Sequence, residues 1–188
     1  MKVYIIRHGE SETNVKGIWA GWLDANLTEQ GKEDAKLAKE VLSGVKFDKV
    51  YSSDLKRAMQ TASICAPDYE VETSALIREM NVGTLAGKEY NSLSEEDKKV
   101  YSEFGYKSVG GESRDEFNER VLNFKSMLEG KNYQNVAVFA HAGVLRRFLY
   151  SVLETTIPIK NFCCKNCTVM VFEYDNLNWK LHSLINVK

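Results

Sequence analysis

The chain is apolar without interruption over Val3 to Ile6 and over Val136 to Ala140. Runs of this length lacking polar alternation suit strands covered on both faces, as in a parallel sheet. The first predicts a strand over residues 2 to 7 and the second a strand over Asn135 to Ala140. A loop ending at Leu27 comes after the first strand. Thr28 and Glu29 then read as a helix start, with Ala35, Leu37, Ala38, Val41 and Leu42 forming a helical stripe that stops at Gly44. Lys49 to Ser52 predicts a short strand. Asp54 is expected to cap a second helix running to about Cys65 and stopped by Pro67, and residues 69 to 73 form a further short strand. Later patterns predict helices from about Ser113 to Leu128 and from Gly143 to about Leu153. Thr168 to Tyr174 and Trp179 to Ile185 predict two strands around an Asp-Asn turn.

Strands alternating with helices indicate an α/β fold, a three-layer α/β/α sandwich whose central sheet is mostly parallel, with the last hairpin as an antiparallel edge. Residues 83 to 111 change character: they are charged, with glycines at both ends and a short helix expected over Ser94 to Phe104. They read as a small excursion over the body of a single domain spanning 1 to 188. There is no repeat, low-complexity tract or linker, and Pro67 and Pro158 are the only prolines. In sheets of this type ligands gather at the carboxyl ends of the strands.

At 188 residues and 44% hydrophobic, the chain is able to bury a substantial core. Its 25 Lys and Arg nearly balance 26 Asp and Glu, for a formal charge of -1. No global field favours nucleic acid or a membrane surface, so any anion site must be local. The few apolar residues before Arg7 are too short for a signal-peptide core, and no later run approaches a membrane span. A cytoplasmic protein is expected, in which the sequons at Asn26 and Asn166 stay idle. Cys164 and Cys167 have the spacing of half a zinc site, but no second pair exists, so reduced thiols and no metal are expected.

Candidate chemistry appears where the strands end. Ile5-Ile6-Arg7-His8-Gly9 and Val138-Phe139-Ala140-His141-Ala142-Gly143 each place a histidine just beyond a strand, with glycine close by. Either histidine alone reads as a loop residue satisfied by a carbonyl. Two of the chain's three histidines at equivalent strand ends point instead to a shared site. Arg57 falls in the first turn of its predicted helix, where the macrodipole disfavours a cation by a few tenths of a kcal/mol, roughly. An anion there removes the objection. Glu79, beside Arg78, would by itself suggest an ion pair.

Taken together these segments resemble the histidine phosphatase superfamily, in its phosphoglycerate mutase-like branch. The resemblance rests on Arg7-His8-Gly9-Glu10-Ser11 with Asn14, and on Gly21-Trp22-x-Asp24-x-x-Leu27-Thr28-x-x-Gly31. It continues through Ser52-Ser53-x-Leu55-x-Arg57-Ala58-x-Gln60-Thr61-Ala62, Glu79, Gly110-Gly111-Glu112-Ser113 and His141-Ala142-Gly143. It implies that His8 takes the phosphoryl group as a phosphohistidine. It implies that Arg7, Arg57 and His141 bind phosphate oxygens, with Asn14 and the backbone near Ala142 assisting, and that Glu79 donates the proton. Gly21, Ala20 and Tyr90 would contact substrate; Ala20 stands where the family often has Ser, Thr or Cys. Two arginines then supply the positive clamp that other phosphoryl-transfer enzymes take from magnesium, so no cofactor is called for. Gly83-x-x-x-Gly87-Lys88 is one residue short of a phosphate-binding P-loop.

The expected activity is hydrolysis of a small phosphate ester by a monomer or homodimer. Sugar phosphates, α-ribazole phosphate, phosphoserine and phosphoglycerate all fall within what related chains hydrolyse. A 2,3-bisphosphoglycerate-dependent mutase is the alternative. From the resemblance, mutases carry an arginine pair in the excursion and a tail over the site, whereas no arginine lies between Arg78 and Arg114 and the chain ends three residues after the last predicted strand. Lys88, Lys98, Lys99 and Lys107 are available to a second anionic group, or form a solvated face. A binding module without turnover would need the cations, but neither a nucleophile nor an acid.

Overall fold

The computed structural model describes residues 1–154 and 162–188; Pro158 lies outside them. Six strands form one sheet: β1 (Lys2–Arg7), β2 (Lys49–Ser52), β3 (Val71–Thr73), β4 (Asn135–Ala140), β5 (Val169–Tyr174) and β6 (Trp179–Ile185). Their order is β3-β2-β4-β1-β5-β6. β1 to β4 run parallel to one another, and β5 pairs antiparallel with both β1 and β6. The described helices are α1 (Glu12–Val15), α2 (Glu29–Val41), α3 (Lys56–Cys65), α4 (Glu95–Phe104), α5 (Arg114–Glu129) and α6 (Ala142–Leu153).

The apolar runs sort themselves by strand alternation. Val3, Ile5, Val136 and Val138 meet Phe117, Val121, Phe124 and Phe148 of α5 and α6. Ile6, Ala137 and Phe139 meet Ala35, Ala38, Leu42 and Ala62 on the opposite face. Each large side chain buried in this way contributes about 1.5–3 kcal/mol. That two-sided demand is why β1 and β4 have no polar alternation, and it produces the expected α/β/α layering.

Helix starts mostly follow the expected caps. Thr28 Oγ1 accepts from Gly31 N at 3.0 Å to open α2, and Ser113 opens α5 in a reciprocal box with Glu116. The expectation for Asp54 is corrected. The residue before α3 is Leu55, Lys56 N donates to Asp24 Oδ1 at 3.0 Å, and Asp54 instead holds Arg78. A long-range carboxylate caps the helix and frees the local one for a bidentate ion pair. The segment read as loop after β1 also contains the one-turn α1, closed by Ser11 and Asn14.

At the carboxyl edge of the sheet the strand ends are tied together. His8 N donates to Ala140 O at 2.9 Å, Ser53 N to Phe139 O at 2.9 Å, and Arg7 N to Thr168 O at 3.0 Å. The loops after β1, β2 and β4 therefore leave from one small area.

Candidate active site

His8 lies just past β1 and is 4% exposed. Its Nδ1 lies 2.7 Å from Gly9 O. A carbonyl only accepts, so Nδ1 carries the proton and Nε2 keeps its lone pair. His141, fully buried at the start of α6, sets its ring 5.1 Å from that of His8 and its Nε2 2.9 Å from Ser53 Oγ. Its Nδ1 is buried with no hydrogen-bond partner among the described residues.

Both imidazoles are held well below their ordinary pKa range. Burial is the main cause for each, followed for His8 by the Arg57 and Arg7 guanidinium charges, and for His141 by Arg57, His8 and Arg7. The consequence for stability has a definite sign. A group with a depressed folded pKa leaves the unfolded chain binding more protons, so its contribution is complete above pH ~6.5 and is lost as pH falls below that. Each imidazole contributes a slope of up to about 1.4 kcal/mol per pH unit in this window. Urea unfolding of the phosphate-free protein from pH 7 to pH 5 is expected to show this decline, and His141→Asn is expected to flatten it. Equal slopes for native protein and variant would remove the His141 imidazole as a cause.

Arg57 is 1% exposed in the first turn of α3. It donates from Nη1 to Leu23 O and from Nη2 to Gly21 O, both at 2.8 Å. The loop before α2 thus orients the guanidinium. Gly21 has φ +47°, and a Cβ there would lie 2.6 Å from Val82 Cγ2, so glycine is needed for the loop to press this close. Arg7 donates from Nη1 to Cys164 O, while its Nε is buried and unpartnered among the described residues. Burial pushes both arginine pKa values down, with Glu79 pulling each back up.

Glu79 enters from a different layer. Its Oε1 accepts from Met80 N at 2.9 Å and its Oε2 from Gly143 N at 3.2 Å. A Cβ at Gly143 would come within 2.2 Å of Oε1, so the glycine after Ala142 makes room for the carboxylate. Arg7, His8, Arg57 and Glu79 line a cavity of about 660 Å³, together with Asn14, Ala20, Gly21, Ala142 and Tyr90. Asn14 does not hold its position alone: Asn166 Nδ2 lies 3.2 Å from its Oδ1 and 3.0 Å from His8 O. His141 lies behind this surface, against the His8 ring. The third histidine, His182, is on β6 with Lys2 Nζ 3.4 Å away, remote from these residues.

Some contributors were not singled out from the sequence. Arg120 of α5 donates to Leu76 O, Arg78 O and Glu79 O at 2.8–2.9 Å, and makes a bidentate ion pair with the Glu112 carboxylate, donating from Nε at 2.6 Å and from Nη2 at 2.8 Å. It fixes the backbone that presents Glu79. The only sequence signal was its place on the buried stripe of α5, with Phe117, Val121 and Phe124. Cys164 and Cys167 form part of the floor beneath the site: Cys164 O takes Arg7 and Cys167 N donates to His8 O at 3.3 Å. Burial pushes the Cys167 thiol up to about 12, so it is a neutral packing group at ordinary pH. Of the four lysines of the excursion, Lys98 reaches the cavity, whereas Lys107 pairs with Glu116.

A cationic floor, a neutral imidazole with one open nitrogen and a facing carboxylate form an arrangement suited to phosphoryl groups. Comparison with known proteins agrees. The chain is 33% identical over 153 residues to the adenosylcobalamin/alpha-ribazole phosphatase of Escherichia coli (strain K12), covering 77% of this chain and 75% of that one. The alpha-ribazole phosphatase structure from Shigella flexneri superposes with a TM-score of 0.85 at 27% identity, over 100% of this chain and 97% of that one. The phosphoglycerate mutase structure from Thermus thermophilus superposes with a TM-score of 0.80 at 27% identity, over the whole of both chains. The family model of the histidine phosphatase superfamily (branch 1) matches residues 3–187, and the chain belongs to that superfamily.

Proposed function

We propose that the protein is a phosphomonoesterase that hydrolyses a small organic phosphate through a phosphohistidine on His8, without a metal. The observation that carries this reading is the fixed tautomer of His8. Nδ1–H is held by Gly9 O, and the ring is kept neutral among two arginines. Nε2 therefore has a lone pair at neutral pH and no proton to lose before attack.

In the first step Nε2 attacks phosphorus, the N–P bond forms and the ester P–O bond breaks. The departing alkoxide takes the proton of Glu79. Arg7 and Arg57 balance the charge on the phosphoryl oxygens, and His141 Nδ1 and Arg7 Nε, unpartnered among the described residues, offer further hydrogen bonds. In the second step water attacks phosphorus, the Glu79 carboxylate takes its proton and the P–N bond breaks. His8 and protonated Glu79 are restored, so protons and electron pairs balance over the cycle. Hydrolysis is favoured over mutation because no arginine lies between Arg78 and Arg114, where the resemblance places the arginine pair of a mutase.

The test is phosphate release from 4-nitrophenyl phosphate in excess EDTA, with acid-stable and acid-labile phosphoenzyme measured after quenching. Turnover undiminished by EDTA, with an acid-labile, base-stable phosphoryl-protein, is the expected result. EDTA-sensitive turnover, or acid-stable label of a phosphoserine type, would overturn the reading.

A further inference from the structure

Trp22 stands between two parts of the site that the fold supplies separately. Arg57 comes from the first turn of α3, whereas Glu79 comes from the segment after β3. The loop of residues 21 to 24 touches both. Gly21 O and Leu23 O each accept from the Arg57 guanidinium at 2.8 Å, and Asp24 Oδ1 accepts from Lys56 N at 3.0 Å, so these residues grip α3. Trp22 reaches the other way, and its indole Nε1 donates to Glu79 O at 2.7 Å.

The acceptor matters because it is the backbone carbonyl and not the carboxylate. Glu79 O and Met80 N belong to one planar peptide unit, and the Met80 N–H donates to Glu79 Oε1 at 2.9 Å. A group that fixes the carbonyl side of this plane therefore aims its N–H side, and the N–H side holds the carboxylate. The carbonyl oxygen has two lone pairs and two donors, Trp22 Nε1 from the loop and Arg120 Nη2 from α5 at 2.9 Å. Donors on the oxygen polarise the peptide and strengthen its N–H as a donor. Arg120 ties the peptide to α5; Trp22 ties it to the loop that orients Arg57.

The indole is itself held. The Arg78 guanidinium lies 4.7 Å from the centre of the Trp22 ring and makes a bidentate ion pair with Asp54. A half-exposed ion pair adds little by itself, but this one fixes the cation over the ring. The space beside Gly21 is filled by Val82, so the same loop also presses on the chain just beyond Glu79.

We infer that Trp22 is a positioning residue: through the Glu79–Met80 peptide it sets the Glu79 carboxyl at a fixed place relative to a phosphoryl group gripped by Arg57. This rests on the phosphomonoesterase reading, in which Glu79 gives its proton to the leaving oxygen. That transfer needs the carboxyl within hydrogen-bond reach of the oxygen, so a carboxyl that wanders loses proton donation before anything else. Phosphate binding by Arg7 and Arg57 does not pass through the indole N–H.

Trp22→Phe tests this, since it removes the N–H and keeps a ring for Arg78; the residue is 38% exposed, so the change leaves the core alone. kcat/KM for n-butyl phosphate is expected to fall about 20-fold and for 4-nitrophenyl phosphate about 2-fold, while the calorimetric Kd of inorganic phosphate stays within about 2-fold. In Glu79→Gln, which has no proton to place, adding Trp22→Phe is expected to change n-butyl phosphate turnover by less than about 2-fold. A second readout needs no turnover. With methionine as the only isotopically labelled residue, the Met80 amide, assigned by Met80→Leu, is expected to move upfield in Trp22→Phe and to exchange with solvent at least about 10-fold faster. A Met80 amide that moves in this way supports the hold on Glu79 even if no ester is hydrolysed, and only the hydrolase reading would then fall. An unmoved amide, equal losses for the two esters, or a loss that persists in full in Glu79→Gln would overturn the inference.

Discussion

His8→Ala is expected to lower phosphate release by at least about 10⁴-fold and to abolish the phosphoenzyme, since the chemical step loses its nucleophile. The size of the loss reflects what the imidazole supplies. Arg7 and Arg57 remain, each oriented by backbone carbonyls that do not involve the His8 ring, so phosphate binding is expected to persist in the variant. Residual turnover would then reflect water attacking an ester held by the two arginines. The comparison is kcat and phosphoenzyme yield with 4-nitrophenyl phosphate, alongside circular dichroism to confirm that the buried substitution leaves the fold intact. A variant within tenfold of native kcat would mean that water attacks directly, and would reassign His8 to charge placement.

Much of this arrangement was legible in the sequence because it depends on strand ends. β1 and β4 announce themselves by their uninterrupted apolar runs, and the residues at their ends, Arg7-His8-Gly9 and His141-Ala142-Gly143, must fall at the carboxyl edge once the strands are parallel. Arg57 was legible through a conflict with the helix dipole, and its burial at 1% exposure with carbonyl partners shows how the fold accommodates that conflict.

The rest depends on pairings between distant residues, which leave no local pattern. Asp54 has the look of a helix cap, yet the carboxylate that accepts from the first N–H of that helix belongs to Asp24, some thirty residues earlier in the chain, and Asp54 meets Arg78. Arg120 is one charged residue of a mixed helix until the carbonyls of Leu76, Arg78 and Glu79 are seen to converge on it. Arg146 and Arg147 look like the polar face of α6, and only the position of that helix against the cavity gives their charge a direction. The cysteine pair suggested metal spacing, but its backbone closes the floor under Arg7 and His8.

Glu79→Gln separates proton transfer from positioning, and its expected loss depends on the leaving group. An alkyl ester must expel a strongly basic alkoxide, so removal of the acid is expected to lower kcat/KM by about 10³-fold. A 4-nitrophenyl ester expels a stabilised phenolate, and its kcat/KM is expected to fall only about 10-fold. Because kcat/KM runs only through phosphorylation of His8, it isolates the step in which Glu79 donates. The second half-reaction still needs a base for water, so the variant is expected to release a burst of nitrophenol, one equivalent per site, before slow turnover. Glutamine retains one acceptor oxygen for Met80 N or Gly143 N but turns an NH₂ toward the other, which shifts the side chain and accounts for the modest loss common to both esters. Glu79→Asp supplies the control: it restores an acid at a shorter reach and is expected to narrow the gap between the two esters. Equal losses for both esters in Glu79→Gln, without a burst, would show that Glu79 holds the Gly143 end of the site in place and that the proton comes from elsewhere.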